Sequence, residues 1–152
     1  MKRSVIVAAV ALIAAALAFR SYRQRTVEKA YEKFAEEIIR RHYDVAAAMT
    51  TGMTEDELRA SGTQEQTGGG PAMFQTLFPT RYQFESTTTA SDGTLSINVV
   101  QEVRFNPAGV ESAVRPAMAA TMRQSATMRK VAGVWKIVSF QNKFEKMDSI
   151  KY

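Results

Sequence analysis

The sequence lacks several residue types on which common kinds of site depend. It has no cysteine and one histidine, His42, among its 152 residues. Without cysteine there is no disulfide, no thiolate nucleophile and no cysteine-ligated zinc or iron–sulfur centre. With one histidine and no cysteine, His42 has no second imidazole and no thiol to complete a catalytic triad with it. The sequence therefore predicts no metal and no cofactor.

An excess of acidic charge is absent too, and the basic excess is confined to one end of the chain. The net charge is +5. Five basic residues flank the first apolar run: Lys2, Arg3, Arg20, Arg23 and Arg25. The rest of the chain is therefore neutral. Cations on both sides of an apolar run suit the phosphate headgroups of a membrane, so we predict lipid as a partner and no nucleic acid.

The apolar run itself extends over Val5–Phe19 and carries no charge. A helix over Ser4–Phe19 would span about 24 Å at roughly 1.5 Å per residue, against a hydrocarbon core of about 30 Å. Because flanking lysine and arginine side chains can reach the headgroups, we predict a single-pass transmembrane anchor at residues 1–25. The short leader before the run favours a domain on the periplasmic side of the cell inner membrane. A signal peptide cleaved after Ala16-Leu17-Ala18 is the alternative.

Helices are predicted next, because no glycine or proline occurs before Gly52. Apolar residues recur at helical spacing over Thr26–Met49, so the anchor helix is expected to continue into the domain. Asp44 is expected to cap a second short helix, and Thr54 to open a third through a capping box. After a glycine-rich loop, an apolar helix is predicted over Ala72–Phe78.

Alternating strands fill the remainder and predict an α+β domain over residues 26–152. Two strands are expected at Thr80–Thr89 and Thr94–Phe105, followed by a long hairpin. In the first strand of that hairpin, apolar residues share one face: Met118, Ala120, Met122, Ala126 and Met128. The methionines fit a core better than a thioether copper site. A three-residue turn ending at Gly133 would align the apolar faces by pairing Ala126 with Val138.

Two stretches carry a resemblance to a known family. An aspartate opens the small-residue helix Tyr43–Met49, and the last strand begins Gly133-Val134-Trp135-Lys136-Ile137. Over about Thr26–Met147 the chain resembles the nuclear transport factor 2-like (SnoaL-like) cone superfamily. The resemblance implies helices packed on a curved antiparallel sheet around a cavity. The candidate cavity residues are Tyr31, His42 and Trp135.

His42 is the one residue that the resemblance suggests for acid–base chemistry, and it is expected on the apolar helix face. On a straight helix at roughly 3.6 residues per turn, however, Asp44 would point about 200° away from it. Glu36 and Glu37 are expected on the charged face, so no acid reaches the imidazole. We therefore predict that His42 is structural and that the chain is not an enzyme.

Three functions follow from these patterns. The leading prediction is a membrane-anchored accessory or scaffold subunit of a larger membrane complex, with its other subunits as partners, since the resembled family includes anchored, non-catalytic members. Self-association into a homo-oligomer stays open. The alternative is a small-molecule binding protein or SnoaL-like enzyme that uses the cone cavity. A secreted binding protein, released by signal cleavage, is the third.

Overall fold

The order of elements is helices first and strands second, which confirms the α+β prediction. The computed structural model describes residues 2–62, 66, 76–110 and 114–152, and for residues 2–25 it gives the backbone with a minority of the side chains. The helices in these ranges are α1 (Lys2–Ile39), α2 (Tyr43–Ala48) and α3 (Glu55–Ala60). The strands are β1 (Thr76–Leu77), β2 (Arg81–Thr89), β3 (Leu95–Asn106), β4 (Met118–Val131) and β5 (Val134–Ser149).

Helix α1 runs without a break from Lys2 to Ile39. This confirms that the first apolar run and the first domain helix are one helix. Among the described residues, no helix is both long and apolar enough to cross a membrane, so the predicted transmembrane span at Val5–Phe19 is not supported. The side chains of its predicted basic flanks lie outside the described residues: Lys2, Arg3, Arg20, Arg23 and Arg25. The division of the chain at residue 25 stays a prediction.

The chain reverses directly after α1. Arg41 has a positive φ of 63°, and His42 rather than Asp44 is the N-cap residue of α2. The prediction for Asp44 is therefore wrong, because the turn at Arg41 starts the helix two residues earlier. Asp44 lies in the first turn of α2 instead, where the helix dipole favours a negative charge.

The capping box at α3 is confirmed. The Thr54 hydroxyl accepts a hydrogen bond from the backbone N–H of Glu57 at 3.3 Å, and the Glu57 carboxylate accepts one from the Thr54 N–H at 2.7 Å.

The strands form one antiparallel sheet in which β3, β4 and β5 are consecutive neighbours. Both β1 and β2 pair with the other edge of β3, β1 at Phe105 and Asn106 and β2 farther along. The helix predicted at Ala72–Phe78 is wrong for the part that lies within the described residues. Residues 71–75 lie outside the described residues, but Thr76–Leu77 is a strand because it finds partners at the end of β3.

The hairpin between β4 and β5 differs from the prediction in its turn and its register. The turn has two residues, Ala132 and Gly133, both with positive φ (49° and 84°). Met128 therefore pairs with Ile137. A β-bulge at Val138 then pairs Ala126 with Phe140, and a second at Glu145 precedes the pair of Thr121 with Lys146. Each bulge inserts one residue and returns the apolar side chains to one face, so the turn need not do this.

The core lies between α1 and the inner face of the sheet. Phe34 of α1 and Phe140 of β5 meet edge to face with ring centroids 5.1 Å apart. Met122 and Met128 are fully buried, as predicted for the inner face of β4. This packing places the side chains of α1 directly opposite the middle of the sheet, where the polar groups described next are found.

Candidate functional site

A line of polar side chains crosses the otherwise apolar inner face of the sheet. Gln101 on β3 and Gln124 on β4 are 0% and 2% exposed. Gln124 is paired in register with Asn142 of β5, and Gln101 with Tyr82 of β2. The two pairs are offset by two residues, because Gln101 is in register with Met122 and Gln124 with Val99. The four side chains therefore follow a diagonal across the sheet, and we name Gln101, Gln124 and Asn142 the amide chain.

Hydrogen bonds join the amide chain to α1. The hydroxyl of Tyr31 donates to Gln124 Oε1 at 2.5 Å. The Gln124 Nε2 group donates to Gln101 Oε1 at 2.8 Å and to Asn142 Oδ1 at 3.1 Å. Every polar atom of the Gln124 side chain is therefore satisfied, as the burial of an amide requires.

The two ends of the amide chain lie at different places on the molecule. At one end, Asn142 Nδ2 donates to the backbone carbonyl of Ser61 at 2.6 Å. At the other end, Gln101 Nε2 donates to the Tyr82 hydroxyl at 3.4 Å, and that hydroxyl donates to Glu36 Oε1 of α1 at 3.1 Å. A continuous set of hydrogen bonds thus leads from the core to a carboxylate at the surface.

Both tyrosines in this network keep their protons at neutral pH. Burial, together with the nearby Tyr82, raises the pKa of the Tyr31 hydroxyl well above its usual value. For Tyr82, burial is the main cause of a raised pKa, and the Gln101 hydrogen bond opposes it while Glu36 adds to it. Each hydroxyl is therefore a hydrogen-bond donor rather than a phenolate base.

Glu36 and Tyr82 both line an open cleft of about 880 Å³ between α1 and the segment around β1 and β2. Its charged lining comes from α1 and the residue directly after it: Lys29, Glu32, Lys33, Glu36 and Arg40. Its apolar lining comes from both sides: Ile39, Leu77, Phe78 and Pro79. We name it the α1–β2 cleft. Its volume is in the range of small-molecule sites, and its lining carries more charge than most such sites do.

The carboxylates of the cleft differ in environment. Partial burial raises the pKa of the Glu32 carboxyl, and the neighbouring charges of Glu28 and Glu36 raise it further. Glu36 also faces Arg40, whose Nε lies 3.8 Å from Oε2. In the described part of the chain, no three carboxylate or imidazole groups come together in an arrangement that could hold a metal ion. What the cleft offers is one hydroxyl donor beside one carboxylate, the pair that general acid–base chemistry uses.

The structure brings two of the three predicted cavity residues together. Tyr31 and Trp135 belong to the same buried cluster, and the ammonium of Lys130 lies 5.8 Å from the centre of the Trp135 ring. His42 lies apart from that cluster, with 56% of its side chain exposed. It was predicted on the apolar face, and this is wrong because the turn at Arg41 carries it to the surface.

The prediction that no acid reaches the His42 imidazole is also wrong. His42 Nδ1 lies 2.8 Å from Glu37 Oε2, although Glu37 was expected on a separate charged face. The reversal of the chain after Ile39 folds the imidazole back onto the last turn of α1. Nothing places this surface pair in the α1–β2 cleft, whose lining contains neither residue.

The residues of the amide chain were missed by the sequence analysis, although a signal exists. One amide interrupts the alternating apolar series in each of β3, β4 and β5: Gln101 between Val99 and Val103, Gln124 between Met122 and Ala126, and Asn142 between Phe140 and Phe144. A polar residue at an inward position is costly unless it has partners. Three such residues in three neighbouring strands therefore indicate a shared buried network.

Comparison with known proteins identifies the fold. No protein-family model matches the chain, and no curated protein does. Among solved structures, a proposed scytalone dehydratase from Novosphingobium aromaticivorans matches with a TM-score of 0.56 at 13% identity, over 88% of this chain and 91% of its own. A hexachlorocyclohexane dehydrochlorinase (LinA, type 2) matches with a TM-score of 0.57 at 8% identity, over 87% and 91%. Aln2 from a Streptomyces species matches with a TM-score of 0.53 at 18% identity, over 81% and 91%.

These likenesses support the nuclear transport factor 2-like cone fold that the sequence resemblance suggested. They contradict the prediction that the chain is not an enzyme, because two of these solved structures are named as enzymes. That prediction rested on His42 as the centre of any chemistry. The structure brings a tyrosine of β2 beside a carboxylate of α1 instead.

Proposed function

We propose that the chain binds a small ring-containing molecule in the α1–β2 cleft and acts on it as an acid–base enzyme. The observation that carries this proposal is the hydrogen bond from Tyr82 to Glu36, two residues that both line the cleft. The cone fold shared with a dehydratase and a dehydrochlorinase supports an elimination, since both names describe loss of a small acid or water from a substrate.

In such an elimination Glu36 acts as the base and Tyr82 as the acid. The Glu36 carboxylate takes a proton from a substrate carbon, and the electron pair of that C–H bond forms the new C=C bond. The leaving group on the adjacent carbon departs with its own bonding pair and receives a proton from Tyr82. Burial raises the pKa of Tyr82, so the hydroxyl carries its proton at neutral pH and gives it up only to a leaving group that becomes strongly basic in the transition state.

The same pair can restore itself after one turnover. Glu36 then holds the proton taken from carbon, and Tyr82 lacks the proton given to the leaving group. Since their oxygens lie 3.1 Å apart, the proton on Glu36 can pass directly to Tyr82. The sum of the steps is substrate going to an alkene and a protonated leaving group, with no oxidant or reductant consumed.

The test uses the full chain with hexachlorocyclohexane and scytalone, followed by chloride release and by ultraviolet absorbance. A panel of cyclic ketones, alcohols and halides is screened in parallel for binding by NMR chemical-shift changes. We expect binding to shift resonances of residues lining the cleft. Glu36→Gln should lower the rate on any substrate turned over by a factor of about 10²–10⁴, the usual contribution of a general base.

Glu37→Gln is the matched control, because it makes the same change one residue along α1 at the surface pair with His42. It should leave the rate within a factor of about two of the unchanged protein, since a surface substitution away from the site changes little. Ligands that shift only residues outside the cleft, or a turnover that Glu36→Gln leaves unchanged, would contradict the proposal.

The membrane-anchored accessory subunit is the less well supported function, because the fold comparisons favour the small-molecule alternative. The predicted location at the cell inner membrane, and the lipid and subunit partners, stay predictions. Intact-mass measurement of the native protein addresses the anchor directly. A native chain beginning near Phe19 would contradict it.

A further inference from the structure

The direction of each hydrogen bond in the amide chain follows from its two ends. The backbone carbonyl of Ser61 can only accept, so Asn142 presents its NH₂ group to Ser61 and its Oδ1 to Gln124. Gln124 must therefore present its own NH₂ group to Asn142. The remaining hydrogen of that group points to Gln101, and Gln101 Oε1 accepts it.

The direction of the hydrogen bonds between Gln101 and the cleft is fixed in the same way. With its oxygen turned to Gln124, Gln101 presents its NH₂ group to the oxygen of Tyr82. The carboxylate of Glu36 can only accept, so it receives the proton of the Tyr82 hydroxyl. Tyr31, donating to Gln124 Oε1 from the far side, completes a set of bonds that all agree in direction.

We propose that Gln101 is a positioning residue that fixes the Tyr82 hydroxyl as a donor toward the α1–β2 cleft, so that the cleft selects ligands with an acceptor oxygen. This inference rests on the proposed function of the cleft and adds a chemical class to its ligand. A ketone or a carboxylate on a small ring presents such an oxygen. A ligand with such an oxygen gains a hydrogen bond from the half-buried Tyr82 hydroxyl, whereas a ligand without one gains none and leaves that hydroxyl on Glu36.

A pair of probes of equal shape tests the selection. Acetophenone has a carbonyl oxygen where α-methylstyrene has a CH₂ group. In the full chain we expect acetophenone to gain about tenfold in binding relative to α-methylstyrene, as one satisfied hydrogen bond to a buried donor implies. Tyr82→Phe should remove this preference. A preference that survives Tyr82→Phe would overturn the assignment of Tyr82 as the selecting donor.

Gln101→Glu tests the positioning role through a pH profile. An ionised carboxylate at this place only accepts, so the Tyr82 proton turns inward to it and the preference for acetophenone is lost. The protonated carboxyl can still donate to Tyr82, so the preference returns at lower pH. Burial raises the pKa of a carboxyl here. The titratable group in contact with it is Tyr82 of β2, which in turn contacts Tyr31 and Glu36 of α1.

The unchanged protein and Gln141→Met, an exposed glutamine of β5, should show no such profile between pH 6 and 9. A preference in Gln101→Glu that is the same at every pH would overturn the positioning role. A merely structural role for Gln101 would change stability and would not produce this reversible loss and return.

A measurement without ligand separates this inference from the proposed function. The ¹³C resonance of the Glu36 carboxyl reports the hydrogen bond from Tyr82. In Gln101→Glu it should shift as the introduced carboxyl ionises, and a resonance that stays constant would overturn the inference. If neither these probes nor any member of the panel of cyclic ketones, alcohols and halides binds in the cleft, the proposed function fails, while the Glu36 resonance still decides how Gln101 directs the hydroxyl.

Discussion

Removal of the central amide should expose how much the buried network contributes to stability. In Gln124→Met the side chain keeps its length and loses every polar atom. The Tyr31 hydroxyl then lacks an acceptor and Gln101 Oε1 lacks a donor, and both residues are fully buried. Asn142 is half-buried and can turn to water.

The expected loss of stability comes from two unsatisfied groups, the Tyr31 hydroxyl and Gln101 Oε1. An unsatisfied buried polar group costs about 1–3 kcal/mol, so two of them cost about 2–6 kcal/mol. Burying a thioether instead of an amide offsets part of this. We therefore expect Gln124→Met to lower the free energy of unfolding by about 3 kcal/mol. Gln141→Met makes the same change at an exposed position and should stay within about 0.5 kcal/mol.

A double-mutant cycle with Tyr31→Phe separates the hydrogen bond from other effects of the substitution. Phenylalanine has no hydroxyl to leave unsatisfied, so the two changes together should cost about 1–2 kcal/mol less than the sum of the two alone. Urea unfolding measured by the fluorescence of Trp135, the one tryptophan of the chain, gives each value. Strict additivity, or a Gln124→Met loss no larger than that of Gln141→Met, would refute the reasoning.

Three further predictions concern the hairpin, the core and the capping box. Trp135→Ala should cost about 3–5 kcal/mol, the range for large-to-small core changes, because Trp135 is 8% exposed; a loss below about 1 kcal/mol in urea unfolding followed by circular dichroism would contradict its burial. Ala132→Asn should raise stability by about 0.5–1 kcal/mol, since Ala132 has a φ of 49° and asparagine before Gly133 suits this turn; a lower unfolding midpoint would count against it. Hydrogen bonds from Thr54 lower the pKa of the Glu57 carboxyl from its usual 4.5. Its stabilising effect is therefore complete above pH 4.5 and is lost as the pH falls through the lowered value. The stability difference between the unchanged protein and Glu57→Gln should shrink on acidification, and a difference constant down to pH 3 would contradict this.

Local features of the structure were predictable because they depend on neighbours in the sequence. The absence of glycine and proline allowed α1 to continue from the apolar run into the domain. Thr54 and Glu57 lie three residues apart, which is the whole requirement of a capping box. The alternation of β3 and of β4 was visible in the same way, since side chains two residues apart share a face.

The α1–β2 cleft, by contrast, could not be read from any local pattern. Glu36 is 46 residues from Tyr82 along the chain, and their hydrogen bond exists because α1 packs across the sheet. On the sequence alone, Glu36 belongs to a solvated helix face and Tyr82 to an apolar strand face. Only the packing of one element on the other places the carboxylate beside the hydroxyl.

The sequence by itself determined where the helices and most strands form, through turn residues, caps and the period of the apolar positions. The tertiary structure alone decided the register of the hairpin, the surface position of His42 and the joining of three amides into one network. The physical reason is that the register and the position of His42 each depend on a residue whose effect is not local, and that the network depends on how three strands pair. One bulge residue at Val138, or one positive φ at Arg41, redirects every side chain that follows it, and no periodic pattern records such a step.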